Sequence, residues 1–410
     1  MNQKVLAIAM AAALVVPMTS QAEITFSGII QAEMGVAKQE NSNNKDLQDG
    51  VRVSEDGEGS VSNGGPNYLR FDITEQLGDG LAAFARYQPT FNTANGSGTG
   101  LNSTQESWLG LKGESFYGRF GRMTGLYKSS KGLVDPFAGT AIQARGTAGG
   151  MTGSTINAVA CDAGVGSACR NSATGVHTES TNFTKTRAGI DSKVAALTHS
   201  SYIGDVLELG AKFGGFSFAI QGVYDQTASM DGAGLLVLKY TAANFTVFLA
   251  GAYADMNLSD TITNVSNSIQ GNDEEDNSGD GNWKIGGQYK LEGLTIGLQY
   301  EDAEMGNMDY DINSDGGKYI MGSLAYTMNN VTVGGWVSGY LSDIADANKL
   351  SILETNGTVT LLGEDAVNWG LGAIYSFSKR TMVYGGYRQV DSSNNYRDEI
   401  VYGVGIRHSF

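Results

Sequence analysis

Polar and apolar side chains alternate along much of the chain, most clearly at its end. From Glu399 to Phe410 the even positions are apolar or aromatic apart from His408, and the odd positions are small or polar apart from Val401. A period of two indicates a β-strand whose faces meet different environments. Chain ends normally fray, so an aromatic residue at the last position favours a strand that seals a closed barrel.

The same alternation recurs along the chain, between connections that are in turn short and long. A connection of two or three residues links one strand to the next, and a long polar segment then links that strand to the one after it. One connection, at roughly 125–200, is too long and irregular for its strands to be placed. The sixteen predicted strands are 24–36, 67–77, 81–91, 104–113, 116–124, 202–213, 216–226, 234–242, 245–256, 282–291, 294–303, 318–328, 331–341, 367–378, 381–390 and 397–410.

This arrangement predicts an all-β fold, a 16-stranded antiparallel transmembrane β-barrel. Up-and-down strands place all short turns on one rim and all long loops on the other, as in outer-membrane barrels. A barrel of sixteen strands is too wide for side chains to fill, so its interior holds water and its apolar faces point to lipid. Strand-end aromatics such as Tyr68, Tyr289 and Tyr375 fit an interfacial girdle.

Composition agrees with a membrane barrel. The chain has 410 residues with 57 Gly, 19 Tyr and only 4 Pro, and charged residues make up 17%, below the roughly 25% of soluble domains. After the N-terminus no apolar run approaches the roughly 18 residues that a transmembrane helix needs.

The first residues form a separate signal. Lys4 precedes an apolar stretch at 5–16, and small residues at 19–22 provide a cleavage site. We therefore expect a secretory signal peptide at 1–22 and a barrel at 23–410. The alternative, an N-terminal anchor helix, is disfavoured because the apolar stretch is too short.

Cys161 and Cys169 lie eight residues apart in a segment rich in small residues. In an exported protein this spacing predicts a disulfide that closes a small loop.

Several blocks resemble the Gram-negative general-diffusion porins: Thr25–Gly28, Leu69–Phe71 with Glu75–Leu81, Leu109–Gly113 with Gly121-Arg122, and Val401–Phe410. The resemblance implies a homotrimer in the outer membrane of a Gram-negative bacterium, with a long third loop folded into the lumen of each barrel. That loop follows Thr124. Its Asp135–Gly139 is similar to the family's Pro/Phe/Gly motif, although the preceding Asp and the loop's length depart from the family.

The resemblance also implies a constriction and an assembly signal. Channels discriminate by width and by the charges at their narrowest point. Basic wall residues should face acids on the inward loop, and Phe410 should be the assembly signal that the barrel assembly machinery recognises. The candidates are Arg70, Arg86, Arg119, Arg122 and Asp135, although alternation places Arg122 outward unless a bulge intervenes. The alternative is that these are solvated lumen charges with no special role.

The chain is acidic, with a formal net charge of −16. Carboxylates concentrate in predicted outer loops, at 49–58 and at 273–276. Such loops concentrate cations at a pore mouth, within the screening length of about 8–10 Å. We expect a weakly cation-selective channel for ions and small hydrophilic solutes.

The sequence offers no support for catalysis. The three histidines lie far apart, and no Gly-x-Ser-x-Gly motif or phosphate-binding glycine loop is present. Asp311–Gly316 imitates the start of a calcium loop, but Gly322 stands where the loop needs Glu. We expect no enzyme activity, cofactor, structural metal or nucleic-acid partner. Two alternatives remain: a substrate-specific channel with a lumenal track that includes Trp108, Trp336 and Tyr340, or a barrel plugged by its third connection that acts as an adhesin or binding protein.

Overall fold

The structure is a computed structural model. It describes residues 22–39, 50–54, 67–91, 93, 104–144, 202–224, 230–256, 280–303, 317–342, 353–355, 358–360, 366–392 and 399–410. The predicted disulfide and all of the predicted signal peptide except Ala22 lie outside these residues.

Strands dominate the described part of the chain. They are β1 Glu23–Gln39, β2 Gly50–Ser54, β3 Tyr68–Gly78, β4 Leu81–Pro89, β5 Thr104–Lys112, β6 Phe116–Thr124, β7 Tyr202–Phe213, β8 Phe216–Val223, β9 Met230–Thr241, β10 Phe245–Met256, β11 Asp280–Leu291, β12 Leu294–Ala303, β13 Gly317–Met328, β14 Val331–Ser342, β15 Leu353–Thr355, β16 Thr358–Thr360, β17 Ala366–Ser376, β18 Thr381–Ser392 and β19 Glu399–Ser409.

Sixteen of these strands form a closed antiparallel barrel, which confirms the predicted fold. They are β1, β3–β14 and β17–β19. Closure occurs at β1, which pairs with β3 through Glu23–Ile29 and with β19 through Ile29–Gln39. Three short strands were not predicted: β2 pairs with the end of β1, and β15 and β16 form a separate hairpin.

The two faces of the wall divide as the alternation predicts. Apolar side chains on the outer face are exposed in the isolated chain, as Leu298, Leu371 and Val404 show at 63%, 57% and 57%. Polar side chains at intervening positions, such as Gln299 and Asn368, are buried on the lumen side. A water-facing apolar surface of this kind would be unfavourable, so the outer face is the one that meets lipid.

Short turns close one rim, several of them through a residue with positive φ. Asp79, Glu292 and Asn329 adopt φ values of 50°, 44° and 53°. Tight hairpins need this left-handed conformation, and Asn and Asp tolerate it better than most residues.

Helical structure within the described residues is brief and follows β6. A 3-10 helix at Leu126–Ser130 leads into one α-helical turn at Lys131–Val134. No helix in the described ranges is both long and apolar enough to span a membrane.

Candidate pore constriction

Three of the predicted arginines lie together on the lumen face of β3–β6. Arg86 on β4 is paired in the strand register with Asp72 on β3 and with Trp108 on β5. Arg119 on β6 lies opposite Glu208 on β7. We refer to this surface, formed by the lumen-facing side chains of β3–β6, as the arginine wall.

Arg86 is held by two carboxylates. Its Nε donates to Asp72 Oδ1 at 2.7 Å, and its Nη1 donates to Glu106 Oε2 at 3.0 Å. The guanidinium also lies over the Trp108 ring, 5.4 Å from the centroid. Because both acids come from adjacent strands of the same wall, the charge of Arg86 is compensated locally.

Arg119 is compensated in a similar way. Its Nε and Nη2 donate to the two oxygens of Glu208 at 3.0 and 2.9 Å, a bidentate pair that fixes the guanidinium plane. Tyr117 and Gln221 donate to the same carboxylate, at 2.7 Å each. Glu208 is fully buried behind the wall, so a solute in the lumen meets Arg119 before it meets the acid.

Arg70 has neutral neighbours. Its Nε donates to Gln88 Oε1 at 2.7 Å, and its guanidinium lies 4.7 Å from the centroid of the Tyr68 ring. Its charge therefore remains available to the lumen, whereas those of Arg86 and Arg119 are largely balanced.

The described start of the third loop, residues 125–144, lies inside the barrel. Its first part is fixed to the middle of the wall: Leu126 N donates to Gln221 Oε1 at 3.0 Å, and Tyr127 OH donates to Glu301 Oε1 at 2.5 Å. The backbone oxygen of Val134 accepts from Ser323 Oγ at 2.5 Å.

The second part of the loop is fixed near the barrel seam. Ile142 O accepts from Trp336 Nε1 at 3.0 Å, and Ala141 N donates to Glu33 Oε1 at 3.0 Å. Gly139 O accepts from Gln31 Nε2 at 2.9 Å and also from Arg407 Nη2. Together with the first attachments, these bonds seat the loop against β8, β12–β14, β19 and β1.

Two wall glycines make room for this loop. A Cβ on Gly372 would lie 2.4 Å from Ile142 Cδ1, and one on Gly386 would lie 2.6 Å from the same atom. Any larger residue there would displace Ile142, so the close approach of loop and wall requires glycine.

Tyr127 is the buried centre of the loop's first attachment. Lys284 Nζ lies over its ring, 4.1 Å from the centroid. Burial, together with the neighbouring Glu301 and Asp302 carboxylates, raises the pKa of the Tyr127 hydroxyl well above its usual value. The hydroxyl therefore remains a hydrogen-bond donor at neutral pH.

Asp135 and Arg122 lie apart from the arginine wall. Asp135 is 4% exposed, and its carboxylate accepts hydrogen bonds from Phe137 N and Ala144 N, both at 2.9 Å. It shapes the loop from within. Arg122 is exposed on the opposite face of β6, where its Nε donates to Thr104 O at 3.0 Å.

The sequence interpretation did not include Asp72, Glu106 or Glu208 among the candidates. Alternation alone places Asp72 on the same face as Arg70, and Glu106 on the same face as Trp108. That signal could have identified the first two acids, whereas the partner of Arg119 depends on the pairing of β6 with β7 across the long loop.

Phe410 completes the barrel seam. Its N donates to Gly28 O at 3.1 Å and its O accepts from Gly28 N at 3.2 Å. Its ring packs on Phe26, with centroids 5.5 Å apart. The terminal residue thus joins the two ends of the barrel wall.

A closed sixteen-stranded barrel with a lipid-facing outer surface, a polar lumen and an inward loop defines an outer-membrane diffusion channel. A family model described as Gram-negative porin matches residues 7–395, and the chain belongs to this family. It is therefore a porin of the outer membrane that permits passive diffusion, and the family points to a channel and not to an enzyme.

Solved structures agree on the fold. The trimer form of OmpT, an outer membrane protein of Vibrio cholerae, is 12% identical and has a TM-score of 0.55, over 95% of this chain and 99% of that chain. OmpF of Salmonella typhi, in complex with daunomycin, is 14% identical with a TM-score of 0.55, over 94% and 97%. The outer membrane channel DcaP of Acinetobacter baumannii is 12% identical with a TM-score of 0.53, over 95% and 97%. No curated protein matches the sequence significantly.

Proposed function

We propose that this porin is a weakly cation-selective channel for ions and small hydrophilic solutes. The observation that carries the proposal is the compensation of Arg86 by Asp72 and Glu106, and of Arg119 by Glu208. An arginine wall that is balanced by its own acids adds little positive potential to the lumen. The acidic outer loops at 49–58 and 273–276 then decide the preference for cations.

The proposed constriction lies between the loop at 125–144 and the arginine wall, with Arg70, Arg86 and Arg119 as the residues that face passing solutes. We do not place Arg122 in it, because its side chain is on the outer face. Asp135 contributes by holding the shape of the loop.

We further propose that the protein acts as a homotrimer in outer-membrane lipid. The fold resembles that of OmpT in its trimer form. Export by cleavage of residues 1–22 and recognition of β19 and Phe410 by the barrel assembly machinery complete the proposal. A disulfide between Cys161 and Cys169 is part of it and can be tested by mass spectrometry of the intact protein with and without reductant.

The decisive experiment is the single-channel current of the purified protein in a planar bilayer under a KCl gradient. We expect conductance steps in groups of three and a reversal potential of modest size that favours cations. A reversal potential that favours chloride would overturn the selectivity. A folded barrel with no conductance would favour the plugged barrel that acts in binding.

A further inference from the structure

A cavity of about 370 Å³ opens in the arginine wall, and both cations and aromatic rings line it. Phe84, Trp108 and Tyr117 supply the rings, and Arg86, Lys112 and Arg119 supply the cations. Pure electrostatic steering of small ions would need only the charges, so the rings suggest a more specific ligand.

The rings and cations are interleaved. Phe84 packs edge-on against Trp108 at 5.0 Å and against Tyr117 at 6.3 Å. Arg119 lies 4.7 Å from the Trp108 centroid, and Lys112 Nζ lies 5.3 Å from the Phe84 centroid. Guanidinium faces and aromatic faces both stack on a further aromatic ring.

Lys112 is the cation in this cavity whose charge is not balanced by a carboxylate of the described residues. Among the described residues it has no carboxylate partner, and its Nζ makes one long hydrogen bond, 3.4 Å to Thr74 Oγ1. Arg86 and Arg119 use two of their donor nitrogens on carboxylates, but Arg86 Nη2 and Arg119 Nη1 have no acceptor within the described part of the chain.

The uncompensated charge at the cavity is that of Lys112. Asp72, the one carboxylate that lines the cavity, pairs with Arg86. Glu106 and Glu208, with 7% and 0% of their side chains exposed, pair with Arg86 and Arg119. One unbalanced positive charge favours a ligand with a single negative charge.

We infer that this cavity is a binding subsite for small aromatic monocarboxylates. The carboxylate accepts from Lys112 and from the Thr74 hydroxyl, and the ring stacks between Phe84 and the guanidinium of Arg119. This inference rests on the proposed open lumen, since the ligand must diffuse to the wall.

The test uses sodium benzoate, with sodium cyclohexanecarboxylate as a ligand of equal charge and similar size but without an aromatic ring. Saturation-transfer NMR on the detergent-solubilised protein measures binding, and interruptions of single-channel current measure occupancy of the open pore. Because a cation–π contact is worth roughly 0.5–1 kcal/mol at exposed sites, we expect benzoate to bind about twofold to fivefold more tightly than cyclohexanecarboxylate at low salt.

Variants locate the site. Because exposed ion pairs contribute at most about 1 kcal/mol, Lys112→Gln should weaken benzoate about fivefold, and Lys112→Arg should retain most of the binding. Phe84→Leu should remove the preference for benzoate over cyclohexanecarboxylate.

The control is Lys212→Gln, since Lys212 lies beside another short turn and outside the cavity lining. This variant should bind benzoate like the native protein.

The outcomes separate the site from the channel. Equal binding of the two carboxylates, or equal loss in Lys112→Gln and Lys212→Gln, would overturn the subsite while leaving conduction intact. Benzoate binding that is lost in Lys112→Gln, in a protein that conducts no current, would support the subsite and overturn the proposed diffusion channel.

Discussion

At Arg86 one guanidinium is shared between two carboxylates, Asp72 and Glu106. These three charged groups are only partly exposed. Removal of any one of them therefore leaves the others unbalanced within the wall. Substitutions here should therefore change the electrostatic potential of the lumen.

Arg86→Ala should increase cation selectivity. It leaves two carboxylates unpaired, and one unit charge at about 8 Å in water interacts with a passing ion by about 0.5 kcal/mol, a factor of about two in partition. The permeability ratio of potassium to chloride, from reversal potentials at low salt, should rise at least about twofold for this reason.

Arg122→Ala is the matched control, because it removes the same charge from the outer face of β6. Its reversal potential should equal that of the native protein. A shift of similar size in both variants would show that total charge, and not the position of Arg86, sets selectivity.

Arg119→Met should destabilise the barrel. Glu208 is fully buried and would lose the two hydrogen bonds that come from the guanidinium. Tyr117 and Gln221 still donate to it, so we expect a loss of about 2 kcal/mol in the free energy of unfolding.

Urea unfolding in detergent micelles measures this loss. Adding Glu208→Gln to Arg119→Met should restore most of the stability, because the orphaned charge is removed. If the double variant is as unstable as the single one, packing of Arg119 on Trp108 and not the ion pair dominates.

At the scale of elements, the strands and the inward course of the third loop were predictable, whereas the points at which the loop attaches to the wall were not. All sixteen barrel strands follow from alternation, since each has one face in lipid and one in the lumen. The seat of the loop depends on Glu33, Trp336 and Arg407, which are remote in sequence. Nothing in the local pattern around these residues distinguishes them from other lumen side chains. For the same reason Asp135 was proposed as an acid facing the arginines, whereas the structure buries it within the loop.

The first loop attachment should depend on pH through Tyr127. A hydroxyl whose pKa is raised in the folded state contributes its full stabilisation below the usual tyrosine pKa of about 10 and loses it as the pH rises beyond that value. The charged groups that face it are Lys284, Glu301 and Asp302. The part of the open-channel current noise that this hydroxyl controls, through loop motion, should therefore increase only above about pH 10.

Tyr127→Phe provides the comparison. This variant keeps the ring under Lys284 but removes the hydroxyl that donates to Glu301. Its open-channel current noise should therefore already exceed that of the native protein at pH 8. It should also lack the increase at high pH that is due to the hydroxyl. The other titrating groups are common to both proteins. Identical pH profiles would exclude Tyr127 as the attachment that responds to pH.

For the whole molecule, the seam is the critical junction, and Phe410 completes it. Deletion of Phe410 removes two backbone hydrogen bonds to Gly28 and the ring contact with Phe26. We expect the yield of folded barrel in membranes to fall several-fold and the temperature of conversion to the unfolded form on gels to decrease. Phe410→Tyr, which keeps an aromatic ring, should behave almost like the native protein. Normal yield after the deletion would remove Phe410 as an assembly signal.

The attachments of the loop impose an order of events in time. The loop emerges after β6, but its anchors lie on β8, on β12–β14 and, at Arg407, on the last strand. Contacts between residues so distant in sequence form late, because the intervening chain must first be ordered. We therefore expect the bond to Arg407 to form only after the last strand has met the first. If the loop settles last, a newly closed barrel should be more permeable than the mature one.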